Sequence, residues 1–524
     1  METSKLKELR ITINSFFGGQ SPVVHGAPDN QFLSSISIDP EAKGTEVSSG
    51  LLNTIGAAYP NSPRRFSTPS DAPLWITGTN TSTGAFVYGA GGTLYAYTNG
   101  SFTLDGDGGI VQPSGGAGNG IAVSHDYLYL STGTNISRFG PLSTTAPRLW
   151  ENFWTGSGGF GQAALTNSSS PVVRGVTYPN HVMHAHNDGY VYVADYYGNQ
   201  GAIHSFYITN ADSGTIATFG DLALPPGYIP LDIKSYDTDL AILCSAATDF
   251  TGSSNVVPGR SALFLWDTIS NSFYRNVPIN HHLATALVNK NGELFVIAGS
   301  VDREVSILKY LGGESFQTLV QIKEGSPPPA GAATSVGNRL FWGGYGTIPS
   351  TFAGLYALGY KNGSLPSTAL NQVVNISGTG TLPIVTAVSN ISRSSQLPGV
   401  GWHTTSPDDN GLDLVSSGQT YSAILQTKMF DIGTKFNIRR IRIPMSEPIS
   451  SATTITPTIY IDDYAVSHAL ATINNTNYPN SERIIDYTDL AVGGYNNFFI
   501  SFAWTGTGDN ALLPGITIDL DLYD

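Results

Sequence analysis

A short phrase of alternating large apolar residues, introduced by a turn pair, recurs along most of the chain. It reads GGTLYAY at Gly91–Tyr97, SHDYLYL at Ser124–Leu130 and NDGYVYV at Asn187–Val193. It returns as DTDLAILC at Asp237–Cys244, NGELFVI at Asn291–Ile297 and GNRLFWG at Gly337–Gly343. A looser copy, DNGLDLV, stands at Asp409–Val415. Anchored on Leu94, Leu128, Val191, Leu240, Leu294 and Leu340, the first six copies recur every ~35–60 residues, near the length of a four-stranded propeller blade. The fifth copy is the cleanest, with HLATALV, GELFVIAG, VSILKYL and FQTLVQI reading as four successive strands. Beyond the first ten positions no stretch carries a helical 3.6-residue apolar period. The expected class is therefore all-β, a β-propeller of about six to seven blades.

From about Ser416 the pattern changes. TYSAILQTKMF, KFNIRRIRIPM, TITPTIYIDDY, NNFFISFAWTG and ITIDLDLY alternate more strictly over longer runs, and the turn-plus-strand unit does not recur. This predicts a separate C-terminal antiparallel β-sandwich, jelly-roll-like. The expected organisation is an N-terminal segment 1–70 that partly completes the propeller, a propeller at 71–418 and a sandwich at 419–524. A strand from residues 32–52 is expected to close the ring. In KFNIRRIRIPM, strict alternation would put Phe436, Ile438, Arg440 and Arg442 on one face, with Asn437, Arg439, Ile441 and Ile443 on the other. Both faces would then mix apolar and basic groups, which marks Arg439, Arg440 and Arg442 as a candidate assembly interface. The acidic strand ITIDLDLYD at Ile516–Asp524 offers them opposite charge, within the chain or between copies.

Composition sharpens this picture. Only 12% of residues are charged and the net charge is −14, so a nucleic-acid partner is not expected. Cys244 is the single cysteine, which rules out an intramolecular disulfide and leaves stability to packing. METSKLKELRITI lacks the apolar stretch of a secretory signal, and no run approaches a membrane span. Synthesis in a cytoplasm without a signal peptide, and no membrane insertion, are the expectations.

Three features carry a family resemblance. One is Phe17-Gly18-Gly19, followed by Ile38-Asp39 after Ser37. The second is the divergent Gly- and Asn-rich propeller. The third is QTKMFDIGTKFNIRRIRI at Gln426–Ile443, where a strand ends in Phe-Asp-x-Gly and a basic strand follows. In these the chain resembles propeller-bearing structural proteins of tailed bacteriophages. The resemblance implies a virion component, in the tail or a tail appendage, partnered by other virion proteins and by copies of itself. No catalytic residues come with it.

Candidate chemistry is sparse. HVMHAHND places His181, His184, His186 and Asp188 close together. Two imidazoles at i and i+2 of a strand can hold zinc with a loop ligand, while the plainer expectation is strand-edge hydrogen bonding. Asp105 and Asp107 in LDGDGG, and Asp408, Asn410 and Asp413 in DDNGLD, offer hard oxygen ligands suited to calcium in a loop, or simply make turns. Trp150, Trp154, Tyr196, Tyr197 and Trp402 sit among polar residues, where rings pack against partners or stack on a host surface glycan. No Gly-x-Ser-x-Gly elbow, phosphate loop or sialidase-type turn motif is present. The expectation is a non-enzymatic protein without a required cofactor. A glycan-binding adhesin and a glycan-cleaving propeller enzyme are the alternatives.

Overall fold

The structure, a computed structural model, describes residues 7–16, 19–20, 25–27, 29, 31–36, 38–39, 47–49, 52–54, 73–78, 84–89, 94–98, 101–103, 118–132, 135–143, 148–154, 172–173, 176–177, 181–197, 200–210, 215–218, 222–246, 261–300, 304–323, 325–344, 354–359, 370–374, 384–390, 398–405, 408–417, 422–478, 483–506, 511–512 and 515–523. The chain divides into two compact units. One is Ile55–Leu355 with Ile376–Leu414; the other is Met1–Thr54 with Tyr356–Asn375 and Val415–Asp524.

The first unit is a propeller. Its antiparallel sheets follow one another along the chain, beginning with the inner strands Pro73–Gly78, Gly118–Ser124, Met183–Ala185, Tyr228–Tyr236, Leu283–Lys290, Ala333–Val336 and Ile384–Asn390. Each inner strand neighbours the next, and Ile384–Asn390 lies against Pro73–Gly78, which closes a ring of seven blades. The first and second strands of a blade are buried on both faces because each blade packs against two others. Leu283–Val288 and Leu294–Ala298, for example, are continuously buried.

The recurring turn pair has a clear cause. Asn291 and Gly292 have φ of 54° and 83°, and His125 and Asp126 have 49° and 67°. Two left-handed residues make the two-residue hairpin whose twist matches that of its strands, so Asn, Asp and Gly recur there. Glycine has a second use, at the seams between blades. A Cβ on Gly120 would lie 1.9 Å from the carbonyl oxygen of His181 in the next blade, so the two backbones meet only because Gly120 has no side chain.

Two copies of the phrase fall out of phase with the rest. The copies at Leu128, Val191, Leu240, Leu294 and Leu340 are second strands of their sheets, whereas Leu94–Thr98 and Asp408–Ser417 are third strands. The seventh blade has its own first and second strands, Ile384–Asn390 and Pro398–Thr405, ahead of that copy.

The second unit contains two large sheets and a small one of Ile38–Asp39, Val47–Ser49 and Ala511–Leu512. In one, Lys7–Ile13 pairs with Ile516–Tyr523, which pairs with Lys435–Pro444, and that strand pairs in turn with Ile484–Tyr487 and Val492–Gly494. In the other the order is Leu370–Val374, Gln31–Ile36, Ser422–Thr427, Asn497–Gly506, Thr453–Ile461 and Val466–Ala469. One core takes side chains from both, among them Ile13, Phe32, Phe436, Ile459, Phe498 and Ile518. The N-terminal strands therefore add to the sheets built from the C-terminal residues. Leu52–Thr54 pairs with Val415–Ser417 in this same unit.

The basic strand corrects the alternation read from the sequence. Lys435–Pro444 shifts register between Ile438 and Arg440: Ile438 faces Leu520, Arg440 faces Asp519, and Arg439 is the extra residue of a β-bulge. The bulge resets the alternation. Phe436, Ile438, Ile441 and Ile443 are all buried, while Arg439, Arg440 and Arg442 all reach solvent. Neither face mixes apolar and basic groups. Burying four such side chains at about 1.5–3 kcal/mol each far outweighs the one ladder bond a bulge disturbs.

Candidate functional site

The polar side chains singled out from the sequence do not converge on one point. His181 is fully buried at the seam between the second and third blades. Its Nε2–H donates to Asp195 Oδ1 at 3.2 Å, and its Nδ1 accepts from the Ser131 hydroxyl at 2.8 Å. Asp195 also accepts the Tyr196 backbone N–H, and His204 Nε2 stands 3.7 Å from its second oxygen. Ser131, His181 and Asp195 have the residue types of a hydrolytic triad. All three have essentially no exposed surface, so no substrate reaches the hydroxyl.

His184 and His186 turn instead to Ser235 of the fourth blade. The Ser235 N–H donates to His184 Nε2 at 2.9 Å, which places the His184 proton on Nδ1. The Ser235 hydroxyl lies 2.7 Å from His184 Nε2 and 2.8 Å from His186 Nδ1, and His186 Nε2–H donates to the Thr238 carbonyl. Burial, with the Lys234 ammonium and His186 close by, pushes His184 down to about 3, so it is neutral at ordinary pH. Asp188 accepts from the Tyr190 N–H and the Tyr192 hydroxyl within its own hairpin. The four residues considered for zinc thus serve three separate hydrogen-bonding groups. Among the described residues no group of three His, Cys, Asp or Glu is arranged to hold a metal ion.

The other candidates fare differently. Asp105 and Asp107 lie outside the described residues. Asp408, Asn410 and Asp413 lie in the paired strand Asp408–Ser417, not in a loop, and their side chains are outside the description. Trp150 and Trp154 belong to the strand Arg148–Trp154, the fourth of its blade. Their side chains, and that of Tyr197, are likewise outside the description. Tyr196 is half-buried. Trp402 is buried in Pro398–Thr405, so its ring is not available to stack on a glycan from solvent. Arg440 forms a paired contact with Asp486, Arg442 lies 3.5 Å from the same carboxylate, and Arg439 bonds Glu8 at 2.9 Å. These arginines are matched by acids of their own chain.

A polar relay runs around the axial ends of the inner strands. The Ser335 hydroxyl donates to the Asn289 carbonyl at 3.0 Å, and Asn289 Nδ2 donates to the Ser235 carbonyl at 2.8 Å. Ser235 then meets His184 and His186. The relay links the sixth, fifth, fourth and third blades in turn. Below it, Asp232 is fully buried and accepts the Ile233 N–H, the Leu287 N–H of the next blade and Lys234 Nζ at 3.0 Å. Desolvation raises the Asp232 pKa, with the ammonium and the two amides opposing it.

Beside this relay is a cavity of about 230 Å³, bounded by the inner strands of the fourth to seventh blades. Its polar lining is Lys234, Asn289, Thr334, Ser335 and Ser389. Leu287, Val288 and Val388 make its apolar wall. Sequence reading did not reach Lys234, Asp232, Ser235 or Asp195. The available signal was an acid inside an apolar strand, Asp195 in VYVADYY and Asp232 in LDIKS, since such an acid is kept only where partners satisfy it.

No family model matches the chain, and no curated protein matches it. Solved structures do. The Myceliophteria thermophila Cps50 (Swd1) beta-propeller domain aligns over 70% of this chain and 99% of its own at 11% identity, with a TM-score of 0.40. The Neurospora crassa Pan2 WD40 domain aligns over 70% and 95% at 9% identity, with a TM-score of 0.43. The Dos1 propeller aligns over 67% and 93% at 11% identity, with a TM-score of 0.38. These likenesses concern the fold alone, and the closed ring of seven inner strands identifies that fold as a β-propeller.

Proposed function

We propose that this chain is a non-enzymatic structural component of a phage virion, in the tail or a tail appendage, where it acts as a rigid spacer and assembly platform. The observation that carries the reading is how its buried polar groups are used. They cross-tie neighbouring blades. Ser131 reaches His181 between the second and third blades, and Ser235 joins the third and fourth. Between the fourth and fifth blades Ser245 Oγ accepts the Ala284 N–H at 2.8 Å and donates to the Ala284 carbonyl at 2.9 Å, mimicking a rung of a sheet. Thr285 donates to the Pro328 carbonyl at the next seam. Apolar packing between blades is non-directional; these bonds fix the angles across the four seams from the second to the sixth blade and stiffen that part of the ring.

The virion setting is supported by the sequence resemblance, carried by Phe17-Gly18-Gly19, Ser37-Ile38-Asp39 and Gln426–Ile443. Other virion proteins and copies of the chain are the expected partners. Mass spectrometry of purified particles, with antibody labelling in electron micrographs, tests this. The chain should be present in fixed copy number at the tail. Its absence from purified particles, or complete infectious particles from a deletion strain, would overturn the reading.

A further inference from the structure

We propose that the axial cavity binds a small hydroxylated carboxylate, seated with its carboxylate on Lys234. The inference is independent of the virion reading. It rests on how Lys234 is held and on what faces it across the cavity.

Lys234 has three N–H donors and gives one to Asp232. Asp232 cannot itself meet a ligand, because it is fully buried and its oxygens already accept the Ile233 and Leu287 amides. The Lys234 side chain keeps 24% of its surface exposed, and it lines the cavity. The buried carboxylate therefore anchors the ammonium by one proton and leaves two donors for an occupant. An anchored cation loses less side-chain freedom on binding than a free surface lysine. A carboxylate is the group that an ammonium point charge accepts without demanding a planar fork.

The rest of the lining selects what carries that carboxylate. Thr334 and Ser389 line the same cavity, and a hydroxyl can both donate and accept. Ser335 donates its proton to the Asn289 carbonyl, so its remaining lone pairs accept from a ligand hydroxyl. Asn289 has its amide fixed to the Ser235 carbonyl and its oxygen fixed by the Gly292 N–H, and it sets the shape of the wall. Leu287, Val288 and Val388 back this lining with buried apolar side chains that hold its shape. A compact molecule with one carboxylate and several hydroxyls satisfies both the ammonium and the hydroxyl lining. A volume of about 230 Å³ suits one such unit. Sugar acids and short hydroxy acids share this chemistry.

The experiment is calorimetric titration of the full chain with glucuronate, galacturonate, glycerate and glucose as separate probes. Saturable binding of at least one carboxylate, with glucose at least tenfold weaker, is expected. Uronates binding while glycerate does not would identify a sugar acid; the reverse would identify a hydroxy acid. Lys234→Met should abolish binding. Because it also leaves Asp232 without its ammonium, Ser389→Leu is the second variant: it fills the cavity, keeps the ion pair and should weaken binding at least tenfold with the thermal midpoint retained. Absence of saturable binding by every carboxylate overturns the proposal. So does glucose binding as tightly as glucuronate, or Ser389→Leu binding like the unmodified chain.

Discussion

In the strand Lys435–Pro444 three arginines lie outside and four large apolar side chains lie inside. In the strand Tyr228–Tyr236 a carboxylate lies inside, among Leu231 and Ile233. The first has a face on solvent, so charge is removed from the core by local geometry: one extra residue at Arg439 re-aims the strand. The second is an inner blade strand with neighbours on both sides. Its own register shift, at Leu231 between Pro230 and Asp232, leaves Asp232 fully buried, so the charge is met where it lies, by Lys234 and by amides of its own and the next blade. A charged residue on a one-sided sheet is a matter of register, whereas on a two-sided strand it becomes part of the joint between sheets.

The largest effect expected from this contrast is at Asp232. Asp232→Ala would leave the Leu287 and Ile233 amides and the Lys234 ammonium without their buried acceptor, for a loss of about 3–5 kcal/mol. Asp232→Asn keeps one acceptor and should lose less. Denaturant unfolding of both variants measures the difference, and equal stability of Asp232→Ala and the unmodified chain would show that the acid is not part of the joint.

Next is the seam between the second and third blades. Ser131→Ala removes the hydroxyl from His181 Nδ1 in a site without exposed surface, and should destabilise by about 1–3 kcal/mol. Ser131→Thr, which keeps a hydroxyl, should recover part of that loss in the same unfolding assay if its added methyl fits. If Ala and Thr behave alike, packing and not the hydrogen bond governs this position.

The bulge offers a comparison of two deletions. Arg439 is the unpaired residue, so deleting it leaves Phe436, Ile438, Ile441 and Ile443 facing inward on a regular ladder. The expected cost is small, from the lost Glu8 contact at a largely exposed site and the lost bond from the Leu490 N–H to the Arg439 carbonyl. Deleting Asn437 instead moves Phe436 to the solvent face or breaks the pairing at Lys435, and should cost several-fold more. Thermal melts of the two deletants, run side by side, test whether the extra residue sits where the register shift puts it.

These cases also show what was legible in the sequence. The signature strands were readable because both faces of a blade strand demand large apolar residues, and because left-handed turn pairs demand Asn, Asp or Gly. The phase of the copies at Leu94 and Leu412 was not, since a third strand meets the same packing demand as a second and so carries the same pattern. The bulge was hidden because it is defined by the opposite strand: only the pairing of Ile438 with Leu520 and Arg440 with Asp519 makes Arg439 extra. The histidine cluster was visible as a cluster, but its partners Ser131, Asp195 and Ser235 are distant in sequence and of common types. The cavity is a space between strands of four blades, and no local pattern encodes it.

The smallest expected effect is the pH dependence of the outward charges. Asp486 is held below the usual carboxylate range by its hydrogen bond from Arg440, against a smaller opposing cost of burial. Asp519 is held down in the same way by Arg10. A carboxylate whose folded pKa is depressed adds stability that is present above its unfolded value of about 3.9. That stability is lost as the pH falls through the lower folded value. The effect should therefore appear only in strong acid and be flat between neutral pH and about pH 5. Arg440 and Asp486 are partly open to solvent, so a double-mutant cycle of Arg440→Ala and Asp486→Ala should give the weak coupling of an exposed ion pair, reduced by added salt. A coupling several times larger would mean that this face is covered in solution, and the contrast with the Asp232 strand would narrow accordingly.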